Sequence, residues 1–246
     1  MTRRRWIADT WDEATATLTG EQAAHLIRVL RAQPGMEYDI VAGDRVCHAV
    51  IAGITGDTVR FNLVADVPTE PALPVTLLLA VFKFDRMEWA IEKATELGVN
   101  RIIPVIARRT EKHLAHAAPK RTERWRRIVR EASQQSRRAD IPVIEEAISL
   151  RAAVKRESRA VRLVLAEEER ATTLTGALTQ TLDESASRTD ELPEIQLAVG
   201  PEGGWAGDEE ALFDSEGWKP VSLGPRILRA ETAAITALAV TAAILE

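Results

Sequence analysis

The chain has 246 residues, enough for one large domain or two modest ones, and two is the better expectation. Hydrophobic residues make up 46% and charged residues 28%, a globular balance that excludes disorder along most of the chain. The net charge of -5 argues against a nucleic-acid partner until its distribution is read: residues 101–138 hold 12 Lys and Arg against 3 Asp and Glu, and residues 139–246 hold 10 against 20.

A basic segment of that density can bind phosphate within an acidic molecule, although a solvated arginine-rich helix has the same composition. The longest apolar stretch, Ala233 to Leu245, is interrupted by threonines and falls short of the roughly 20 residues that span a bilayer. Near the start, three arginines are followed by Asp9, Asp12 and Glu13 in place of an apolar signal core, so a cytoplasmic location without membrane insertion is expected. The single cysteine, Cys47, excludes an internal disulfide and fits a reducing compartment.

In chain order, Thr19-Gly20-Glu21-Gln22 opens a short helix through Leu30, with Leu26, Val29 and Leu30 on one face. Residues 37–67 alternate apolar and polar positions between turns at Gly43-Asp44 and Gly56-Asp57, the pattern of short antiparallel strands. This N-terminal unit, residues 1–70, reads as a small β-barrel or sandwich with one helix. Three prolines in Pro68 to Pro74 mark the boundary. From residue 75 to 246 the period changes to an open α/β alternation. Val75 to Phe82 is a strand; Asp85 to Leu97 is a helix with Asp85 and Glu88 as a capping box and Gly98 as its stop; Ile102 to Ile106 is a strand. A parallel pair with a crossover follows from that spacing.

A long basic helix is expected from about Pro119 to Arg138, a strand near Val143, a helix from Leu150 to Arg156 and a buried strand from Val161 to Ala166. Residues 171–192 lack a clear period and read as a helix followed by a loop. The remaining expectations are a strand at Ile195 to Val199, a helix at Asp208 to Ser215 stopped by Gly217, a strand at Val221 to Leu223 and a closing helix from Ala230 to Leu245.

Two loops occupy the strand-to-helix position where open α/β sheets hold ligands. Gly200-Pro201-Glu202-Gly203-Gly204 offers close backbone approach and free N–H groups, and Leu223 to Thr232 places Arg226, Arg229 and Glu231 beside the start of the last helix. Each has a bland alternative, a mere turn and a surface ion pair.

Taken together these strings resemble the SPOUT class of methyltransferases, and most closely its family that methylates N3 of a uridine in small-subunit (16S) ribosomal RNA. The other strings that carry the likeness are His25 to Arg31, Glu92 to Val99 and Glu131 to Arg138. At Gln134-Gln135 the family often has a Glu before the Gln, a small departure. The resemblance implies a C-terminal domain with a trefoil knot, an exception to the unknotted rule. It also implies bound S-adenosylmethionine, a homodimer and a PUA-like N-terminal barrel that helps hold RNA.

On that reading Leu165, Leu197, Leu223, Ile227 and Leu228 supply an apolar slot for the cofactor. Gly200, Pro201, Glu202, Gly203, Gly204, Gly224, Arg229 and Thr232 complete it through the two loops. Uridine N3 carries a proton on the pairing edge, so the base must be unpaired or flipped. Arg229 is the candidate for stabilising charge that develops on the base, and Glu231 for orienting that arginine or accepting a proton. Arg3, Arg4, Arg5, Arg28, Arg31, Arg137, Arg138 and Arg226 are the expected RNA contacts, with solvent exposure as the plain alternative. The expected partners are 16S ribosomal RNA or the small subunit, with no metal: His113 and His116 share a helical face, but no cysteine and too few carboxylates complete a zinc set. The triple Glu167-Glu168-Glu169 reads as a solvated strand exit, and Trp6 and Trp205 as buried rings, with stacking on a ligand as the alternative. Three alternatives remain at this point. One is a Rossmann-type methyltransferase, disfavoured because Lys83-Phe84-Asp85-Arg86 replaces a glycine-rich turn. The second is a related SPOUT enzyme acting on another rRNA or tRNA site, or on a ribose hydroxyl. The third is a non-catalytic ribosome-assembly protein that binds RNA.

Overall fold

The computed structural model describes residues 5–186 and 192–245, so Arg3 and Arg4 lie outside the described residues. The chain forms two compact units, one of Met1–Pro71 with Arg130–Ile141 and one of Ala72–Val129 with Pro142–Glu246.

The first unit is built on one sheet. Its elements are β1 (Trp6–Ile7), β2 (Thr10–Trp11), β3 (Thr15–Thr19), α1 (Gly20–Arg28), β4 (Glu37–Ala42), β5 (Arg45–Thr55) and β6 (Thr58–Asp66), in the sheet order β1-β4-β5-β6-β3-β2. The β4-β5-β6 meander has the antiparallel pairing that its alternation predicts. The two-residue strand β1 joins β4 in parallel, a pairing too short to leave a period in the sequence. One face buries Leu18, Ile40, Ala49, Ile51 and Phe61 with Ala23 and Leu26 of α1. The opposite face packs Ile7, Val41 and Val46 with Ala139 and Ile141, which is why residues well beyond the proline stretch belong to this unit.

In the second unit every strand pairing is parallel. The elements are β7 (Val75–Ala80), α2 (Phe84–Glu96), β8 (Arg101–Ile106), α3 (Lys112–Ala117), α4 (Thr122–Ser136, of which residues from Arg130 on count with the first unit), β9 (Val143–Ile144), β10 (Ile148–Ser149), α5 (Leu150–Val154), β11 (Val161–Leu165), α6 (Leu174–Ala186), β12 (Ile195–Val199), α7 (Gly207–Ser215), β13 (Lys219–Val221) and α8 (Ala230–Leu245). The strand order is β10-β8-β7-β12-β11-β13, and β9 shares an edge of β8 with β10. Pro104 in β8 falls between the β9 pairings at Arg101 and Ile102 and the β10 pairings at Val105 and Ile106. Leu78, Ala80, Val164 and Ala198 pack with α5, α7, Trp205 and Trp218 on one face. The alternate residues Leu77, Leu79, Leu163 and Leu197 are equally buried and point to the other face. Among the described residues no helix is long and apolar enough to cross a membrane.

Several local expectations are corrected. Helix α2 begins at Phe84, flanked by Lys83, with no side-chain cap. Asp85 therefore sits inside the first turn, and Glu88 receives Arg124 at 2.7 Å and Arg121 at 3.4 Å rather than closing a capping box. The expected basic helix begins at Thr122 rather than Pro119, because Pro119 lies in a 3-10 turn, Ala118–Arg121, that leads into α4, and the preceding α3 was not expected. The strand placed at residues 221–223 is β13, which ends at Val221. Ser222 pairs instead with Thr173 in an isolated parallel bridge, and its Oγ accepts from the Gly224 N–H at 3.1 Å.

Candidate functional site

β11, β12 and β13 end at Leu165, Val199 and Val221, and β11 pairs with both of the others. At this carboxyl edge the loops leave in one direction and can enclose a ligand. A cavity lies there. It is lined by residues 165–168, 199–205 and 221–224, by Arg226, Ile227 and Leu228, by Ala230 and Ala233 of α8, and by Arg109, Arg170 and Glu210.

The walls are held by a few specific contacts. Trp205 is buried; its Nε1 donates to the Leu165 carbonyl at 3.1 Å, and its ring meets Phe213 edge-on at 4.9 Å. Phe213 in turn meets Trp218 at 5.3 Å, so the indole is fixed from behind. The loop after β8 is tied to the glycine loop by Arg109, whose Nη1 donates to the Gly203 carbonyl at 2.5 Å. Buried Glu209 accepts from the Arg108 N–H at 2.7 Å and the Ala206 N–H at 2.9 Å, binding the same loop to the start of α7. Gly224 has φ 111°, a conformation that residues with a Cβ adopt rarely and under strain, so glycine suits the turn of the second loop.

Of the cofactor candidates, Leu165, Gly200, Pro201, Glu202, Gly203, Gly204, Leu223, Gly224, Ile227 and Leu228 line this one cavity. Arg226, expected on RNA, lines it too. Leu197 does not, because it lies two residues short of the end of β12, fully buried in the sheet. Arg229 and Thr232 are exposed and off the wall, while Ala230 and Ala233 turn toward it. Glu231 is buried in the first turn of α8. Its charged neighbour is Arg86 of α2, whose Nε is 3.8 Å from Oε1, and its Oε2 has no hydrogen-bond partner.

The sequence reading missed several wall residues. Arg109 lies in the loop that follows β8, so the strand-end rule that singled out the glycine loops applies to it as well. Glu167 and Glu168 line the cavity rather than marking a simple solvated exit. Glu169 folds back, and hydrogen bonds from the Thr172 and Ala171 N–H groups hold its carboxyl below the ordinary value. The apolar side chains beside two loops of main-chain donors and acceptors suit a flat heteroaromatic ring. The carboxylates of Glu167, Glu168, Glu202 and Glu210 complement a cation, and Arg109, Arg170 and Arg226 a carboxylate.

Among the basic candidates of the first unit, Arg5 donates to the Arg137 carbonyl and Arg28 pairs with Asp57 at 3.3 Å. Arg138 pairs with Asp140 at 2.5 Å, its side chain 8% exposed. Arg31 and Arg137 are exposed. His113 lies 3.5 Å from Glu111, and no group of three His, Cys, Asp or Glu able to hold a metal occurs among the described residues. Cys47 is buried in β5, where burial and then its hydrogen bond to Asp66 push the thiol above its ordinary value.

The family described as the RNA methyltransferase domain matches residues 69–242. A ribosomal RNA small subunit methyltransferase E of Synechocystis sp. is 36% identical over 236 residues, 95% of this chain and 75% of that protein. The protein of the same name from Mycobacterium bovis is 35% identical over 235 residues, 92% of this chain and 85% of its own. The crystal structure of a ribosomal RNA small subunit methyltransferase E from Neisseria gonorrhoeae, bound to S-adenosyl methionine, superposes with a TM-score of 0.80 at 30% identity, covering 96% of this chain and 95% of that one.

Proposed function

The chain belongs to the RNA methyltransferase family, and from that premise we propose that it transfers a methyl group from S-adenosylmethionine to N3 of a uridine in 16S ribosomal RNA. It is an enzyme of RNA modification. The observation that carries the reading is the convergence of both glycine loops and Leu165 on one cavity at the carboxyl edge of a parallel sheet.

When bound, the donor supplies an activated methyl group on a positively charged sulfur. Leu165, Leu223, Ile227 and Leu228 would hold its ring, with Leu197 supporting the strand beneath. Gly200–Gly204 and Gly224 would meet it through main-chain groups, and the surrounding carboxylates favour its positive charge. Arg229 is assigned to stabilise negative charge that develops on the base as N3 loses its proton. Glu231, whose buried Oε2 has no partner, is assigned the acceptor role in the same turn, with Thr232 at the site's outer side. The protein's contribution is alignment of the attacking nitrogen and exclusion of water.

Residues 1–70 act in this reading as a PUA-like RNA-binding barrel, and residues 75–246 as a knotted methyltransferase domain. The enzyme works in the cytoplasm as a homodimer. In support of the dimer, α8 carries no charge from Thr232 to Leu245 although Ile235, Ala239, Val240 and Ile244 remain half-buried.

The test is labelled methyl transfer to 16S RNA and to small subunits from a strain lacking the enzyme, followed by mass mapping of modified nucleosides. One new N3-methyluridine is the expected product, and its absence from both substrates refutes the assignment. Arg229→Ala should abolish turnover while calorimetry still measures donor binding; normal methylation by that variant would remove Arg229 from the chemistry.

A further inference from the structure

Four helix ends among the described residues turn through the left-handed region, and the residue used divides them. After α2 and α7 the turn is made by Gly98 (φ 88°) and Gly217 (φ 74°), as expected where a Cβ is unwelcome. After α1 and α4 it is made by Arg31 (φ 53°) and Arg137 (φ 61°), the two non-glycine residues with positive φ among the described residues. Both arginines belong to the first compact unit.

The turns themselves are dictated by the buried residues on their C-terminal side. The Ala32 N–H donates to the Leu26 carbonyl at 3.0 Å, and Ala32 is buried with Trp6 and Leu18. The Arg138 N–H donates to the Ser133 carbonyl at 3.0 Å, and Ala139 and Ile141 then pack on Ile7 and Val41. Core packing thus forces a left-handed residue at each place, and glycine would fill it with least strain. A basic residue meant only to complement the helix dipole could sit one residue earlier in ordinary helical geometry.

The side chains point the same way. In this unit Arg5, Arg28, Arg130 and Arg138 are engaged by a carbonyl or a carboxylate. Arg31 and Arg137 are exposed, and their guanidinium groups have no polar partner among the described residues. The two ends are also joined structurally: Arg5 donates to the Arg137 carbonyl, and the adjacent Trp6 ring packs 5.8 Å from His25 of α1.

We infer that Arg31 and Arg137 are paired anchors for the phosphodiester backbone of the RNA substrate, aimed outward by a left-handed backbone that glycine would otherwise occupy. This rests on the RNA methyltransferase reading above and narrows its basic set to two residues. A free guanidinium can take a phosphate through two parallel hydrogen bonds, which a paired one cannot do without breaking its existing contact.

The experiment compares Arg31→Gly, Arg137→Gly and the double variant with wild type, using Arg60→Ala as a control because Arg60 is an exposed arginine in ordinary strand geometry on β6. Thermal melting, donor binding and RNA binding across a salt series are measured. Each glycine variant should melt at or above the wild-type temperature and bind the donor unchanged. Each should lose RNA affinity by about tenfold or more, and its slope of log affinity against log salt should fall by about 0.7–0.9. Arg60→Ala should keep the wild-type slope, and Arg→Lys at either anchor should fall between. Wild-type affinity and slope in the glycine variants overturns the inference, as does a lowered melting temperature. If wild type itself binds no donor and methylates no RNA, it is the functional reading that fails, and that result is distinct from either of these.

Discussion

Replacing Gly200 by Ala puts a methyl group against the indole of Trp205, 3.3 Å from Cε2 and 3.5 Å from both Cδ2 and Nε1. The ring has little room to retreat, since Phe213 lies behind it at 4.9 Å and its Nε1 is bonded to the Leu165 carbonyl. Overpacking of this kind costs about 1–3 kcal/mol, and rotation of the ring would forfeit a hydrogen bond worth about 1 kcal/mol. A loss of about 2–3 kcal/mol corresponds to a melting temperature lower by roughly 4–12 °C in a chain of this size. Because Gly200 and Trp205 both line the cavity, donor affinity measured by calorimetry should fall by about tenfold or more. The decisive comparison is with Trp205→Phe, which removes part of the obstructing ring. Gly200→Ala should cost much less in that background, whereas additive losses, or a single variant that melts within about 1 °C of wild type, would refute the packing argument.

Three further outcomes are expected from contacts elsewhere in the molecule. Arg86→Ala leaves buried Glu231 without its only charged neighbour among the described residues. Discounted for the partial exposure of Arg86, this should cost about 1–2 kcal/mol by denaturant unfolding, and Arg86→Ala, Glu231→Gln together should recover most of that loss. Burial pushes the Glu145 carboxyl up, but hydrogen bonds from Arg156 and Arg101 outweigh it and hold the group below its ordinary 4.5. Its contribution is therefore complete above pH 4.5 and lost as pH falls through the lower folded value, so wild type should lose more melting temperature on acidification than Glu145→Gln does; parallel curves would contradict this. Cys47, buried and with its thiol raised, should react with iodoacetamide at pH 8 only at the rate of unfolding, and rapid labelling of the native protein would show the pocket around it to be open.

The strand and helix alternation after residue 75 was legible where an element carries its own period, and β7, α2, β8, β11, β12, α7 and α8 appear near where that period places them, whereas α3 and β10 were not expected and α6 lies in a stretch without a clear period. Both glycine loops were legible as well, since each lies between a recognisable strand and helix. The elements that were not legible are those without a local signal. β1 and β2 have two residues each, too few for any period. The packing of Ala139 and Ile141 onto Ile7 and Val41 joins positions more than 90 residues apart. The wall residues Arg109, Glu167 and Glu168 resemble ordinary surface charges until the loops that carry them are seen side by side. The capping box at Asp85 and Glu88 was a sound local pattern, but the helix begins earlier, at Phe84, which puts Asp85 inside its first turn, and Glu88 pairs with Arg121 and Arg124 instead.

Hydrophobic periodicity, glycine and proline placement and the family strings determined, from the sequence alone, that this is an α/β chain with two candidate ligand loops in its last fifty residues. Tertiary structure alone decided that β11 lies between β12 and β13, so that the loops after Leu165, Val199 and Val221 enclose one cavity. It alone decided that Glu231 faces Arg86 rather than Arg229, and that two arginines hold the backbone shape of glycine. The reason is physical. Local patterns report which way a residue's own element turns it, while strand order, loop convergence and ion partners depend on which distant surfaces are buried together.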